Sequence, residues 1–232
     1  MSRSLFELGA LLAGLCLMVS VAAAQKEAGA ASVESKESFG PFQPSGPDSE
    51  SLRAGEILNA NLSANQPTSS WAGLFGEATG NLILGNGSNR LYEWSSDARY
   101  VYATNTDIDF GGNWSSTTVS DLESEYSFVE NGSDRAAVTF DSTANISSFT
   151  QDSKVIGTVA AETLNGSGSE VWTTAFVADN TTNPNYFFAG EVSTDSSRTF
   201  WNGENVQESG YQMILPEDNG NTAEYSLYIE LD

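Results

Sequence analysis

The feature that most limits the fold is a two-residue alternation of apolar and polar side chains, repeated along the chain between turn-forming clusters. It is clearest in residues 225–231, where Tyr, Leu, Ile and Leu occupy the odd-numbered positions. Successive side chains of a β-strand point to opposite faces of a sheet, so this pattern is typical of a strand with one buried face. The segment Val171–Ala178 carries apolar side chains at odd and even positions alike, which predicts a central strand covered on both sides.

Similar but shorter runs lie at close spacing, separated by Gly, Asn, Asp and Ser. We predict strands at residues 58–62, 74–75, 82–84, 91–94, 99–103, 155–159, 171–178, 186–192, 211–215 and 225–231. The Pro-Glu-Asp-Asn-Gly segment at 216–220 predicts a hairpin turn between the last two strands. Many short strands with polar turns predict an all-β fold, a β-sandwich of the immunoglobulin or jelly-roll kind.

Helices are expected at two places only. Ser120-Asp121-Leu122-Glu123 has the pattern of a capping box, in which an N-cap Ser and the Glu three residues later exchange hydrogen bonds. We therefore predict one short helix from Ser120 to about Tyr126. A single helical turn near residues 134–138 is a second expectation, and the sandwich then carries one or two short helices.

The first 24 residues predict the compartment. Arg3 precedes a mostly apolar run from Leu5 to Ala24 that ends in three alanines, the pattern of a cleaved secretory signal peptide. The run is also long enough to remain as a membrane anchor, and a lipid on Cys16 is a third alternative. We expect a signal peptide at 1–24, a disordered acidic spacer at 25–55 and a β-sandwich domain at 56–232, in a secreted protein at the cell surface.

Two residue types that carry much of enzyme chemistry, His and Cys, are missing from the predicted mature chain. The chain has no His, and its one Cys, Cys16, lies in the predicted signal peptide. This excludes Ser-His-Asp and Cys-His catalysis, His-ligated zinc and disulfides in the mature chain. Carboxylate pairs and an adjacent Ser153-Lys154 remain, but no local pattern singles out a catalytic group, so we expect no enzyme.

The charge balance limits the partners. Thirty-one Asp and Glu face nine Lys and Arg, for a formal net charge of −22. Such a chain repels nucleic acid and anionic membranes, so we expect neither as a partner. Self-repulsion of this size is tolerated best in strong salt, where the Debye length is about 3 Å at 1 M. The composition therefore favours a halophilic protein, with an ordinary acidic secreted protein as the alternative.

One stretch resembles a known family. Residues 71–84 read WAGLFGEATGNLIL and are followed by Tyr92-Glu93-Trp94. This is similar to a W-x-G-x-[YF]-G-x-x-[ST]-G-x-[IL]-x-L module of uncharacterised, secreted archaeal β-rich surface proteins, which also end as this chain does, with segments like Gln212–Glu217 and Tyr225–Leu231. Ala78 stands where relatives carry Val or Ile, and the middle Cys pair of many relatives is missing. The resemblance implies an exported archaeal protein and a shared fold, and no activity.

Seven Asn residues begin an N-x-[ST] triplet, the acceptor pattern for N-glycosylation. They are Asn61, Asn86, Asn113, Asn131, Asn145, Asn165 and Asn180. About four or five such triplets would arise by chance in a chain this rich in Asn, Ser and Thr, so the excess is small. Several lie in predicted turns, and we expect a glycoprotein modified at some of them.

Asp107 and Asp109 begin a D-x-D-x-G pattern that resembles the start of a calcium loop. The position of the bidentate Glu is occupied by Thr118, so the EF-hand form is not met. A polar turn in an acidic chain is the favoured interpretation, with a calcium site as the alternative. No other cofactor is expected.

Two further patterns bear on binding. Trp114 and Trp201 lie beside Gly- and Asn-rich stretches, which makes them candidates for stacking on a glycan, although a core position is more common for Trp. Leu58, Ala60 and Leu62 form a short alternating run after the spacer, which could pair within its own sandwich or complete the sheet of a neighbouring molecule.

These observations favour a non-enzymatic, extracellular structural or adhesive protein on the surface of a salt-adapted archaeon. Its most specific form is a filament subunit that assembles by strand donation. Its partners would be copies of itself, other surface proteins or glycans. The alternative from another class is a carbohydrate-binding module.

Overall fold

The computed structural model of the chain describes the following residues, to which all structural statements here refer. They are 28–38, 43, 46, 49, 51, 53–59, 61, 63–86, 88–115, 117–130, 132–140, 149–151, 154–156, 161–165, 171–179, 181–182, 184–193, 199–201, 206–208, 210–217 and 223–232. The predicted signal peptide at 1–24 lies outside them.

Fourteen strands and two short helices are present in these residues. The strands are β1 Gly29–Ala30, β2 Trp71–Gly76, β3 Thr79–Asn86, β4 Asn89–Thr104, β5 Trp114–Ser115, β6 Phe149–Gln151, β7 Lys154–Ile156, β8 Ala161–Asn165, β9 Val171–Asp179, β10 Tyr186–Glu191, β11 Thr199–Trp201, β12 Val206–Glu208, β13 Tyr211–Pro216 and β14 Ser226–Leu231. The helices are α1 Val119–Glu125 and α2 Ala136–Thr139. The predicted all-β fold, sandwich-like with short helices, is confirmed.

An eight-stranded antiparallel sheet forms the body of the molecule. Its strands run in the order β1-β14-β4-β10-β9-β5, and β8 also pairs with β9. The two halves of β4 have different partners. The second half pairs with β14 and β10, and the first half pairs with β3. A second sheet consists of β2 and β13, with Trp71 opposite Pro216 and Gly76 opposite Tyr211. The start of the family-like stretch, residues 71–76, is therefore hydrogen-bonded to the family-like segment Gln212–Glu217.

Each face of the large sheet supports its own apolar core. On one face, Phe176, Phe188 and Val101 pack with residues of α1, α2 and β13. On the other, Tyr102, Phe187 and Val177 pack with Phe110, Trp114 and Ile156. The strand β9 serves both cores, Phe176 and Ala178 on one side and Ala175 and Val177 on the other, as its two-sided apolar pattern predicts.

Both helices occur close to where the sequence predicts them, but α1 begins earlier. Its N-cap is Thr118, which exchanges hydrogen bonds with Asp121 at the third helical position. The predicted cap, Ser120, lies inside the first turn. The same Thr/Ser-x-x-acid pattern occurs twice in an overlapping stretch, and the helix uses the first copy because this directs Leu122 into the core, where it is fully buried.

Three predictions of local structure are wrong. Residues 56–59 and 61 are not in a strand, so the sheets begin at Trp71 in this region rather than at residue 58. Gly29–Ala30, inside the predicted spacer, is a strand. The last two strands do not form the predicted hairpin, because β13 pairs with β2 whereas β14 pairs with β4.

Candidate functional site

The edge of the large sheet at β14 is completed by the N-terminal segment. Gly29 lies opposite Ile229 and Ala30 opposite Tyr228, in antiparallel register. The backbone N–H of Ala31 extends this pairing by donating to the carbonyl oxygen of Leu227 at 2.8 Å. Only two residues of the segment are in strand conformation, so this strand adds few hydrogen bonds to an edge that already has one stable partner in β4.

The side chains under this edge are a mixture of apolar and polar groups. The Tyr228 ring lies 5.2 Å from the ring of Phe110, and Ala28 packs against the same core. Glu230 is buried and accepts a hydrogen bond from the hydroxyl of Tyr102. Arg99 lies 3.7 Å from the other carboxylate oxygen of Glu230, and burial, followed by the Glu230 charge, raises the pKa of Tyr102.

A long connection joins β1 to the rest of the fold. Between Ala31 and Ser70 the described residues contain no strand and no helix, and most of them are exposed. The connection is fixed again just before β2, where Asp134 accepts hydrogen bonds from Thr68, Ser69 and Ser70. The N-terminal strand is thus separated from β2 by about 40 residues of chain.

Asp134 is held as an anion by this contact. Partial burial alone would raise the pKa of its carboxyl, but hydrogen bonds from the Thr68 hydroxyl and from the Ser69 and Ser70 backbone outweigh it and lower the pKa below its usual value. The Thr68 hydroxyl donates at 2.7 Å and the Ser69 N–H at 2.6 Å. The backbone carbonyl of Asp134 accepts from Trp71 Nε1 at 3.0 Å, so one residue fixes both the connection and the first strand of the second sheet.

A second exposed feature is the arm, which we define as the hairpin of β3 with the first half of β4, residues 79–97. Leu82 lies opposite Trp94, and Leu84 opposite Tyr92. Because directly opposed residues share a face, these four side chains form one apolar face. Tyr92, Trp94 and Leu84 are 63%, 44% and 54% exposed. The sequence pattern did not reveal this, since an alternating strand has the same pattern whether or not another layer covers it.

The alternating run at Leu58, Ala60 and Leu62 is not a strand in its described residues, and its donation to a neighbour stays a prediction. Leu58 is half-exposed and outside any strand, and Ala60 and Leu62 lie outside the described residues. The segment that pairs with a sheet edge is Gly29–Ala30, some thirty residues earlier. Gly and Ala have no polar-apolar alternation, so no periodicity signal marked this strand.

Trp114 is a core residue, which corrects its assignment as a glycan contact. It is 9% exposed, and its ring lies 4.6 Å from that of Phe187 in an edge-on arrangement. Its indole N–H donates to the carbonyl of Asp109 at 2.9 Å, so the polar end of the side chain is satisfied inside the protein. The side chain of Trp201 lies outside the described part of the structure.

Asp107 and Asp109 lie on an exposed turn between β4 and β5. Asp109 uses a carboxylate oxygen to accept from the Gly111 N–H at 2.9 Å, which is the function of an Asx turn. This turn places the Asp109 carbonyl under Trp114. In the described ranges no three Asp, Glu, Cys or His side chains form a group that could hold a metal ion, and the calcium site stays a prediction.

Three sequon Asn residues are described with their surroundings. Asn61, Asn86 and Asn113 are all exposed, so their side chains are accessible for modification. Asn86 ends β3 at the tip of the arm. Asn165 ends β8, and Asn131, Asn145 and Asn180 lie outside the described residues.

A groove of about 440 Å³ lies between α1 and the turn from β9 to β10, with Asp121, Glu125 and Asp179 among its lining residues. Two of these carboxylates already have local partners. Asp121 caps α1. Asp179 accepts from Thr181 Oγ1 at 2.7 Å and from Asn185 Nδ2 at 2.8 Å. These contacts outweigh the effect of partial burial and lower the pKa of Asp179. The groove is therefore an acidic surface in which Asp121 and Asp179 stabilise the local helix cap and turn.

Comparison with known proteins gives no family for this chain. No family model matches it, and no curated protein and no solved structure matches it either. In the described residues no helix has the length and apolar character needed to cross a membrane. The family resemblance of residues 71–84 therefore stays a prediction.

Proposed function

We propose that this chain is an extracellular structural protein of a salt-adapted archaeal cell surface, whose copies join into filaments by donating the N-terminal strand. The observation that carries the proposal is the pairing of Gly29–Ala30 with the edge of β14 through two residue pairs only. A strand held so weakly, and separated from β2 by about 40 residues, can leave its own sheet and pair with the same edge of a neighbour.

The exchange of β1 between two copies is balanced in its contacts. A strand that moves to an identical edge exchanges like hydrogen bonds for like, so the contacts of β1 are conserved. The cost is the lost freedom of the second molecule. High salt lowers the repulsion between two acidic chains by shortening the Debye length, which fits the expected halophilic setting. Asp134 fixes the connection at its far end, so the free length runs from Ala31 to about residue 67.

The test is a proline scan of the donated strand. Proline at position 31 removes the N–H that donates to Leu227, whereas proline at position 32 leaves that donor in place. We expect the chain without residues 1–24 to form filaments at molar salt, visible by electron microscopy and as heavy species in sedimentation. Ala31→Pro should abolish them and Ser32→Pro should leave them unchanged. Equal assembly by both variants would contradict the proposal.

Glycan binding is the second candidate. With Trp114 buried, the exposed aromatic pair Tyr92 and Trp94 on the arm, whose rings lie 5.5 Å apart, is the feature that would support it. A glycan array probed with the Ala31→Pro variant, which is expected to form no filaments, separates the two functions. Selective sugar binding without filaments would favour the carbohydrate-binding module.

A further inference from the structure

The arm concentrates the exposed apolar surface of the molecule. Of the eleven large apolar side chains that are exposed in the described residues, five lie on it. They are Ile83, Leu84, Leu91, Tyr92 and Trp94. Single exposed apolar residues are ordinary, but Leu84, Tyr92 and Trp94 share one face of the hairpin, and a contiguous apolar group marks an interaction surface.

The two faces of the arm differ in chemistry. One carries Leu82, Leu84, Tyr92 and Trp94, placed in two directly opposed pairs. On the other face, Glu93 accepts a hydrogen bond from Asn81 at 2.9 Å and pairs with Arg90 at 2.7 Å. This second face also carries Ile83, which lies opposite Glu93. Its charges are paired locally, so the first face is the more apolar of the two.

The arm also lacks the support that a two-stranded ribbon needs. An isolated hairpin is marginally stable in water, and stability requires a third strand or a layer packed on the apolar face. Within the described residues the main body reaches the base of the arm, where Leu231 lies close to Gly80. A rigid attachment exists, since β4 continues from the arm directly into the sheet centre as one 16-residue strand.

We propose that the apolar face of the arm docks on the same face of a second copy of this chain, making a two-fold contact separate from the donated strand. The low net charge of the arm favours a second copy of the chain as the partner. The whole chain carries −22, but the charged residues of the arm are Arg90, Glu93 and Asp97 alone, a net charge of −1. Two copies repel each other least along such a surface. A two-fold contact puts the same surface on both sides, and an apolar face meets these terms with its own copy.

The first experiment measures self-association with strand donation removed. All chains carry Ala31→Pro and are produced without glycosylation, so that no sugar at Asn86 covers the arm. The arm variant adds Leu84→Ser, Tyr92→Ser and Trp94→Ser. The control replaces three exposed valines elsewhere with Ser: Val129, Val138 and Val155.

Sedimentation of the Ala31→Pro parent should show a dimer at tens of micromolar protein in 2 M KCl. The arm variant should raise the dissociation constant at least tenfold, and the valine control should leave it unchanged. A parent that stays monomeric, or an arm variant that dimerises like the parent, would overturn the arm contact. Binding of a polysaccharide or of lipid vesicles by a monomeric parent would do the same. Filament loss in Ala31→Pro is scored separately, so the two proposals fail independently.

Cross-linking keeps the test valid if the triple variant folds poorly. The chain after Cys16 has no cysteine, so one introduced thiol reports one position. Leu84→Cys lies on the apolar face, whereas Ser95→Cys lies opposite Asn81 on the polar face. A short bis-maleimide should join Leu84→Cys chains into dimers and leave Ser95→Cys chains as monomers. Equal cross-linking at both positions would contradict the proposed orientation.

Discussion

Single side chains fix connections that no strand pattern describes. Asp134 is the clearest case, because its carboxylate binds three consecutive residues, Thr68 to Ser70, and its carbonyl binds Trp71. These contacts join the loop before α2 to the start of β2, which lies more than sixty residues earlier in the chain. In the sequence, Asp134 is one of thirty-one acidic residues and nothing marks its role. Its hydrogen-bond donors lie in a polar stretch that is distant along the chain.

Replacing Asp134 with Asn should lower the free energy of unfolding at pH 7 by about 1 kcal/mol, because an amide offers one acceptor where the carboxylate offers two. This loss is at the low end for hydrogen bonds to a charged group, because the Asp134 carboxylate is partly exposed. The folded-state pKa is lowered, so the wild-type advantage is full above the unfolded pKa of about 3.9 and is lost as the pH falls through the folded value.

Denaturant unfolding at pH 7 and between about pH 5 and 2.5 checks this. The difference between wild type and Asp134→Asn should shrink below about pH 4. The exposed Asp107→Asn serves as control and should track wild type throughout. A difference of constant size over this pH range would contradict the role given to the Asp134 charge.

At the scale of elements, hydrophobic alternation predicted the long strands well. It did not predict the short strand β1 or which strands pair with each other. The strands β9, β10, β13 and β14 lie within a residue or two of their predicted bounds, because their buried faces impose the pattern. The strand β1 has two small residues and carries no pattern. The sequence at 216–220 predicts a turn, but a turn does not specify which sheet the next strand joins.

The N-terminal edge strand was not predictable in position. Hydrophobic alternation indicates a strand at Leu58, whereas the strand that pairs with β14 is Gly29–Ala30. The arm shows the opposite failure. Its four apolar side chains lie in predicted strands, but their exposure was not predictable because it depends on layers that are distant in sequence.

The cap of α1 gives a prediction that separates two overlapping patterns. Thr118→Ala should lower the stability by about 1 kcal/mol, because the Asp121 N–H loses its acceptor and the Asp121 carboxylate loses the hydroxyl donor at 2.6 Å. Ser120→Ala should be neutral or slightly stabilising, since Ser120 lies within the helix and Ala is the better helix former. Thermal melts of both variants decide between them, and a larger loss from Ser120→Ala would place the cap two residues later.

For the whole molecule, net charge is a strong influence on stability. A net charge of −22 opposes compaction at low ionic strength. The ion pairs of the described residues do little against it, since they are three and two of them include side chains more than one-third exposed. Stability then depends on the solvent as much as on the cores.

We expect the melting temperature to rise by about 5 °C or more between 0.1 and 2 M KCl, with most of the gain below 1 M, where the Debye length falls from about 10 Å to about 3 Å. Circular dichroism melts at increasing KCl measure this. Sucrose at matched osmolality is the control, because it stabilises by exclusion without screening. A flat or falling melting temperature below 1 M would contradict an electrostatic limit.

The position of β4 at the centre of the sheet also sets an order of events in folding. Its second half needs β10, some 85 residues downstream, and β14, some 125 residues downstream. Sheets with such distant pairings fold slowly, because loop closure precedes any gain from contacts. While the chain is being made, the second half of β4 lacks its β14 neighbour, so the large sheet is incomplete until β14 has been synthesised. For a chain exported as we propose, this late completion of the sheet favours transit before folding.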